Sequence, residues 1–215
     1  MRSFLAVTTA LTLLITPALA GTSISGVKAG TRAFSVNNAV GSNLIKFLSD
    51  APGEKINGSA DGVTGAFTID PANLEATKGT ITVQVMTMKT SIEKRDEHMY
   101  SDTWLDAAKY PTITYAITGL KNVKVQTKDG RNSVTATATG TFTCHGVTKP
   151  LEATINFTYL PESAETKKRA KGDLVMVNAQ FTVALKDHNI TGKAGIVGSK
   201  VGEVIQIDAS LYANS

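Results

Sequence analysis

Alternation of apolar and polar residues dominates this chain, and a period of two is the mark of half-buried strands. From Ser133 to Cys144 the even positions are Val134, Ala136, Ala138, Gly140, Phe142 and Cys144, while the odd positions are Ser133 followed by five threonines. One face is apolar and the other is a threonine ladder, suited to a pleated surface facing water. Leu151, Ala153, Ile155, Phe157 and Tyr159 alternate with polar residues in the same way. Gly146 and Pro150 lie between these two runs, which predicts a hairpin with a moderately long loop. Val175, Val177, Ala179, Phe181, Val183 and Leu185 line one face of another strand, and Ile205, Ile207, Ala209 and Leu211 that of the last. Ile81, Val83 and Val85 alternate with Thr80, Thr82 and Gln84, and Ile113, Tyr115 and Ile117 with Thr112, Thr114 and Thr118. Weaker strands are predicted at Asn43 to Ser49, Ala66 to Asp70 and Asn122 to Thr127. So many half-apolar strands predict one antiparallel sheet curled into a barrel, since closure removes exposed edges.

One region breaks the pattern. Ser91 to Lys109 is charged, rich in helix formers and free of alternation. It predicts two short helices, Glu93 to Tyr100 and Asp102 to Lys109, with Ser101 or Asp102 as N-cap of the second. Pro111 ends the segment, because the residue before a proline avoids helical geometry.

The N-terminus changes the picture of what folds. Arg2, the apolar stretch Phe4 to Ile15 and the small-x-small pattern of Ala18-Leu19-Ala20 read as a cleavable signal peptide over residues 1–20. The stretch is shorter than the roughly 20 residues a membrane span needs. The expectation is therefore one exported domain, residues 21–215, working in the periplasm. Formal charge is +4, and +3 without Arg2; with lysines and arginines scattered, it does not argue for nucleic acid. Cys144 is the only cysteine, so an exported chain has no internal disulfide, and the thiol is expected buried and unpaired. The loop Pro161 to Gly172 carries Lys167, Lys168, Arg169 and Lys171. It reads first as a solvated hairpin loop, with transient contact to anionic headgroups at a membrane surface as the alternative.

The search for chemistry is mostly negative. The chain has no G-x-S-x-G elbow, H-E-x-x-H, P-loop or dinucleotide fingerprint. Its three histidines, His98, His145 and His188, are far apart in sequence. Arg95-Asp96-Glu97-His98 is a dense ionisable set, but adjacent residues on a helix point different ways and do not converge on one ion. It is expected to pin the helix to the barrel by ion pairs and capping. His145 is expected exposed in a turn and His188 in a loop. No catalytic residue, metal or cofactor is expected. Small residues at Ala136, Ala138, Gly140 and Ala179 leave space along an apolar face. Barrels of about eight strands either fill that space with side chains or hold one small ligand, and composition leaves both open.

Longer motifs carry a resemblance. Gly79 to Val83 (GTITV), Lys94 to Met99 (KRDEHM), Trp104 to Tyr115 (WLDAAKYPTITY) and Gly140 to Leu151 (GTFTCHGVTKPL) resemble the YceI-like family in order and spacing, over roughly Val63 to Tyr212. The Asn-, Gly- and Ser-rich stretch Phe34 to Gly65 departs from the family's usual opening. Cys144 and His145 stand where the family more often has an aliphatic residue and an arginine. The resemblance implies an all-β, extended lipocalin-like barrel with a short helical segment near 93–109. It also implies export and a tunnel for a long amphiphile such as a polyisoprenoid, an isoprenoid quinone or a fatty amide. Tunnel-lining candidates are Val83, Val85, Ala136, Ala138, Phe142, Phe157, Ala179 and Phe181. Two rivals remain: a filled barrel serving as an interaction or adhesion module, and a redox accessory acting on a bound quinone. A homodimer is left open.

Overall fold

The computed structural model describes residues 21–128 and 131–215; the expected leader lies outside them. The strands are β1 (Arg32–Val36), β2 (Leu44–Ala51), β3 (Glu54–Ala60), β4 (Val63–Asp70), β5 (Asn73–Gln84) and the two-residue β6 (Met88–Lys89). After helix α1 (Glu93–Tyr100) come β7 (Thr112–Lys128), β8 (Arg131–Cys144), β9 (Val147–Leu160), β10 (Leu174–Ala184) and β11 (Val204–Asn214). All pairings of these strands are antiparallel, in the order β1-β4-β5-β7-β8-β9-β10-β11, and β1 pairs β11 to close the circle. The protein is an eight-stranded barrel. Among the described residues no helix is long and apolar enough to cross a membrane.

β2 and β3 are not extra staves. β1 pairs the last residues of β11, at Ser35↔Asn214, and β2 pairs its first half, at Ser210↔Leu44 through Ile205↔Ser49. β4 and β3 pair β1 and β2 in turn. The first hairpin is thus two long staves, each broken midway. The Asn-, Gly- and Ser-rich stretch is the break. The buried Asn43 accepts a hydrogen bond from Tyr212 N–H (2.7 Å) and donates to Asn38 Oδ1 (2.8 Å). Asn37 N–H donates to the Tyr212 carbonyl (2.9 Å). Gly41 lies so close to the Tyr212 ring that a Cβ there would sit 2.5 Å from it. Strands β1 and β3 were not foreseen, and neither was the extension of β5 back to Asn73.

The β8–β9 connection is also tighter than expected. Cys144 pairs Val147, so the turn is only His145 and Gly146. Both have positive φ (51° and 73°), the backbone a two-residue turn of the first primed type requires. Pro150 is in the strand, opposite Thr141. Pairing of β9 with β10 begins only at Thr154↔Gln180, so on that side Pro150 lies on an unpaired edge, where its missing N–H breaks no ladder bond. The one-turn 3-10 segment Leu185–His188 follows β10 and packs against β9 at this splayed end. His188 is therefore buried, not in an open loop: its ring meets Phe142 edge-on, and its Nδ1 is 3.1 Å from the Val147 carbonyl. His145 is half-buried, with Nδ1 3.0 Å from the His188 carbonyl.

Helix α1 forms where predicted. Asp96 is buried and accepts hydrogen bonds from Thr90 N–H (2.8 Å) and Thr90 Oγ1 (2.6 Å). Arg95 reaches Glu54 on β3 at 2.7 Å, and Tyr100 donates to the Met88 carbonyl. These contacts pin the helix as expected of the ionisable set, but Glu97 and His98 face solvent. The second helix is absent. Residues after Ser101 form turns, with Asp106 in the left-handed region (φ 45°), which an α-helix does not tolerate.

Candidate ligand-binding site

Alternation sends one face of every stave inward, and the two ends of the barrel treat that face differently. At the end holding the β4–β5 turn and the β9–β10 loop, Phe34, Leu74, Val134, Tyr159, Val175 and Ala213 are fully buried. Phe34 stacks on Phe67 at 5.6 Å and meets Tyr159 edge-on at 5.9 Å. Tyr159 donates to Asp173, which also pairs with Arg32 at 2.9 Å. Burial, then the bond to Asp173, push the Tyr159 phenol well above its usual range. The N-terminal segment covers this end: Ile24 N–H donates to the Pro71 carbonyl (2.8 Å) and Leu74 N–H to that of Thr22 (3.0 Å). This end is closed. The basic loop 161–172 lies outside it, with Lys167 and Lys168 already paired to Glu162 and Glu165.

Between this seal and the end carrying α1 runs a lumen. About 150 Å³ of it admits the centre of a water-sized sphere. Its wall draws on β2 to β11, and along β10 it runs from Val175 to Phe181, a rise of roughly 20 Å. The lining carries no charged side chain and few polar ones, Thr77, Thr114 and Tyr115. Tyr115 shares its hydroxyl proton between the carbonyls of Ala138 (3.0 Å) and Leu151 (3.1 Å). Burial, with the Glu152 carboxylate nearby, pushes this phenol up to about 12. Towards the α1 end the wall residues Val83, Met88, Ile113, Phe181 and Ile207 are only partly buried. Met86, Ile92 and Val204, exposed at that same end, are large and apolar.

Six of the tunnel-lining candidates are in the wall: Val83, Ala138, Phe142, Phe157, Ala179 and Phe181. Two are not. Ala136 shares a face and a buried cluster with Ala138, but it does not border the lumen. Val85 falls where β5 gives way to a 3-10 turn (Val85–Thr87), so the alternation that would aim it inward has ended. It is buried, and its N–H donates to the Pro111 carbonyl (2.9 Å). Sequence reasoning missed Thr77, whose signal was a threonine on the inward face of Gly79, Ile81 and Val83. Cys144 is a buried free thiol, pushed up to about 12 by burial and so unreactive as a nucleophile. Among the described residues no three His, Cys, Asp or Glu side chains gather as a metal site.

A model of the YceI-like domain matches residues 36–213, from the end of β1 to the end of β11. The chain belongs to the YceI-like family. A UPF0312 protein of Enterobacter sp. (strain 638) is 31% identical over 144 residues, 67% of this chain and 68% of the relative. Protein YceI of an Escherichia coli strain is equally similar, 31% over the same shares. Among solved structures, Burkholderia cenocepacia BcnA superposes with a TM-score of 0.64 at 17% identity, covering 83% of this chain and 99% of BcnA. A polyisoprenoid binding domain from Saccharophagus degradans gives 0.56 at 16% identity, covering 85% and 98%. These two likenesses establish the barrel. The family match starts at Val36, so β2, β3, β4 and both breaks of the first hairpin lie within the YceI-like domain, while β1 lies almost wholly before the matched residues.

Proposed function

We propose that this protein is exported to the periplasm by its N-terminal leader and there binds a long-chain amphiphile within the barrel, to carry, shelter or store it. The observation that supports this is the lumen itself, a continuous apolar channel sealed at one end and free of charge. An extended prenyl or acyl chain gains roughly 0.8 kcal/mol per CH₂ removed from water. A handful of isoprene units therefore outweighs the ordering costs of binding. The relative described as a polyisoprenoid binding domain has the same fold. Binding of this kind needs no catalytic residue. Loading takes place at the α1 end, where Met86, Ile92 and Val204 offer apolar contact to a membrane surface. The basic loop, at the closed end, is not the docking element.

Mass spectrometry of organic extracts from protein freshly purified from the periplasm tests the reading. One long-chain lipid in near-stoichiometric amount is the expected result. Repeated extracts without lipid, together with failure to take up prenyl or acyl chains in vitro, would overturn it.

A further inference from the structure

Thr77 sits on the inward face of β5, in line with Gly79, Ile81 and Val83, and borders the lumen next to the closed end. It is only 6% exposed, and its Oγ1 has no hydrogen-bond partner. A buried hydroxyl left unpaired is costly, and valine would fill the same shape without that cost. The position thus keeps an oxygen where packing alone gives no reason for one.

The side chains around it offer a trapped water little, since a buried water needs two to four polar partners. Ile69 on β4 and Ile117 and Leu120 on β7, from the strands on either side, are apolar. The hydroxyl of Tyr115 is already engaged with two carbonyls. The partner that remains is a group brought by the ligand. Its charge is constrained too, because a buried phosphate or carboxylate needs a counter-charge and the lining offers none.

We propose that Thr77 Oγ1 holds a neutral hydrogen-bonding group of the lipid, a carbonyl, amide or hydroxyl, at the closed end of the lumen. The ligand lies with its polar end inward and its hydrocarbon chain running towards Val83 and Met88. Its class is a long apolar chain with a neutral polar terminus, such as a prenylated quinone, a fatty amide or a long-chain alcohol. A phosphorylated end does not occupy this position. The inference rests on the lipid-binding reading above.

The test uses the delipidated full-length mature chain, loaded with the fluorescent apolar probe N-phenyl-1-naphthylamine. Displacement is measured with decylubiquinone, which has a neutral carbonyl head, with squalene, which has no polar group, and with farnesyl diphosphate, which is charged. In Thr77→Val, decylubiquinone should bind about 3- to 10-fold more weakly, the worth of one neutral hydrogen bond. Squalene should be unaffected, and Thr77→Ser should restore the quinone to within about threefold of wild type. The ligand-free Thr77→Val protein should melt no lower than wild type, because no bond within the protein is lost. Equal loss for quinone and squalene, no loss for either, or a lower melting temperature would overturn the role of Thr77. Farnesyl diphosphate binding that depends on Thr77 as the quinone does would overturn the neutrality of the group. A wild type that binds none of the three would instead remove the lipid-binding reading, and this inference with it.

Discussion

Ala136 and Ala138 give the sharpest test of the lumen. They sit two residues apart on one face of β8, about 7 Å along the strand, and sequence pattern does not distinguish them. The structure does: both belong to one buried cluster, but Ala138 borders the lumen and Ala136 does not. Enlarging each to leucine should therefore have opposite consequences. In Ala136→Leu the added carbons enter a filled space, and overpacking costs about 1–3 kcal/mol. At about 2–4 °C per kcal/mol for a chain of this size, the melting temperature should fall by about 2–12 °C. In Ala138→Leu the same carbons enter the channel, where nothing of the protein is displaced, and the melting temperature of the ligand-free protein should stay within about 2 °C. What is lost is lipid. Three carbons of side chain exclude about three carbons of ligand, which at roughly 0.8 kcal/mol each is about 2.4 kcal/mol, or roughly fifty-fold in Kd. The assay is a thermal melt beside displacement of an apolar fluorescent probe, for both single variants. If Ala138→Leu melts as low as Ala136→Leu while lipid binding is unchanged, Ala138 lies in a packed core and the geometry of the lumen has been misread.

Two further outcomes follow from particular contacts. Cys144, buried and with its thiol pushed up to about 12, should resist a bulky thiol reagent at pH 8 in the native protein and react at once in denaturant; rapid native labelling would contradict the burial. Asp96→Ala should strip both Thr90 bonds from α1 and lower stability by about 1.5–3 kcal/mol, whereas His98→Ala, on the exposed face, should change it by less than about 0.5 kcal/mol in urea melts. Equal effects of the two would show that Asp96 does not anchor the helix.

Much of the barrel was legible because its staves alternate cleanly. Residues 133–144 and 151–159 showed their inward faces in sequence, and β8 and β9 carry those faces inward. Half of the first hairpin was hidden for a physical reason. Its two staves are broken at Asn37 to Asn43 and at Asp61-Gly62, so β2 and β4 showed only as weak strands and β1 and β3 not at all. The contacts that stitch the first break, Asn43 and Asn37 to Tyr212, join residues far apart in the chain. Pro150 misled in the other direction. A proline between two strands reads as loop, yet it is tolerated within β9 because the strand there lacks its β10 neighbour. His188 became buried for the same reason: the segment after β10 packs at that splay, a consequence of pairing and not of local composition.

The site was legible only as a face. Alternation says which side chains point inward, and six of eight candidates do reach the lumen. It cannot say where along the stave an inward residue stops meeting open space and starts meeting another stave. That boundary is set by residues remote in sequence, Phe34 and Leu74 closing over Val134 and Tyr159. Hence Ala136 and Ala138 look alike in sequence and differ in the fold. Thr77 is the converse case. In sequence it is one threonine among many, most of which belong to the outward ladder. Its place beside the seal, facing inward with no partner, makes it a discontinuity in an otherwise apolar wall. A chamber that needed only to exclude water would not keep that oxygen, and so the wall itself argues for an occupant with a polar group.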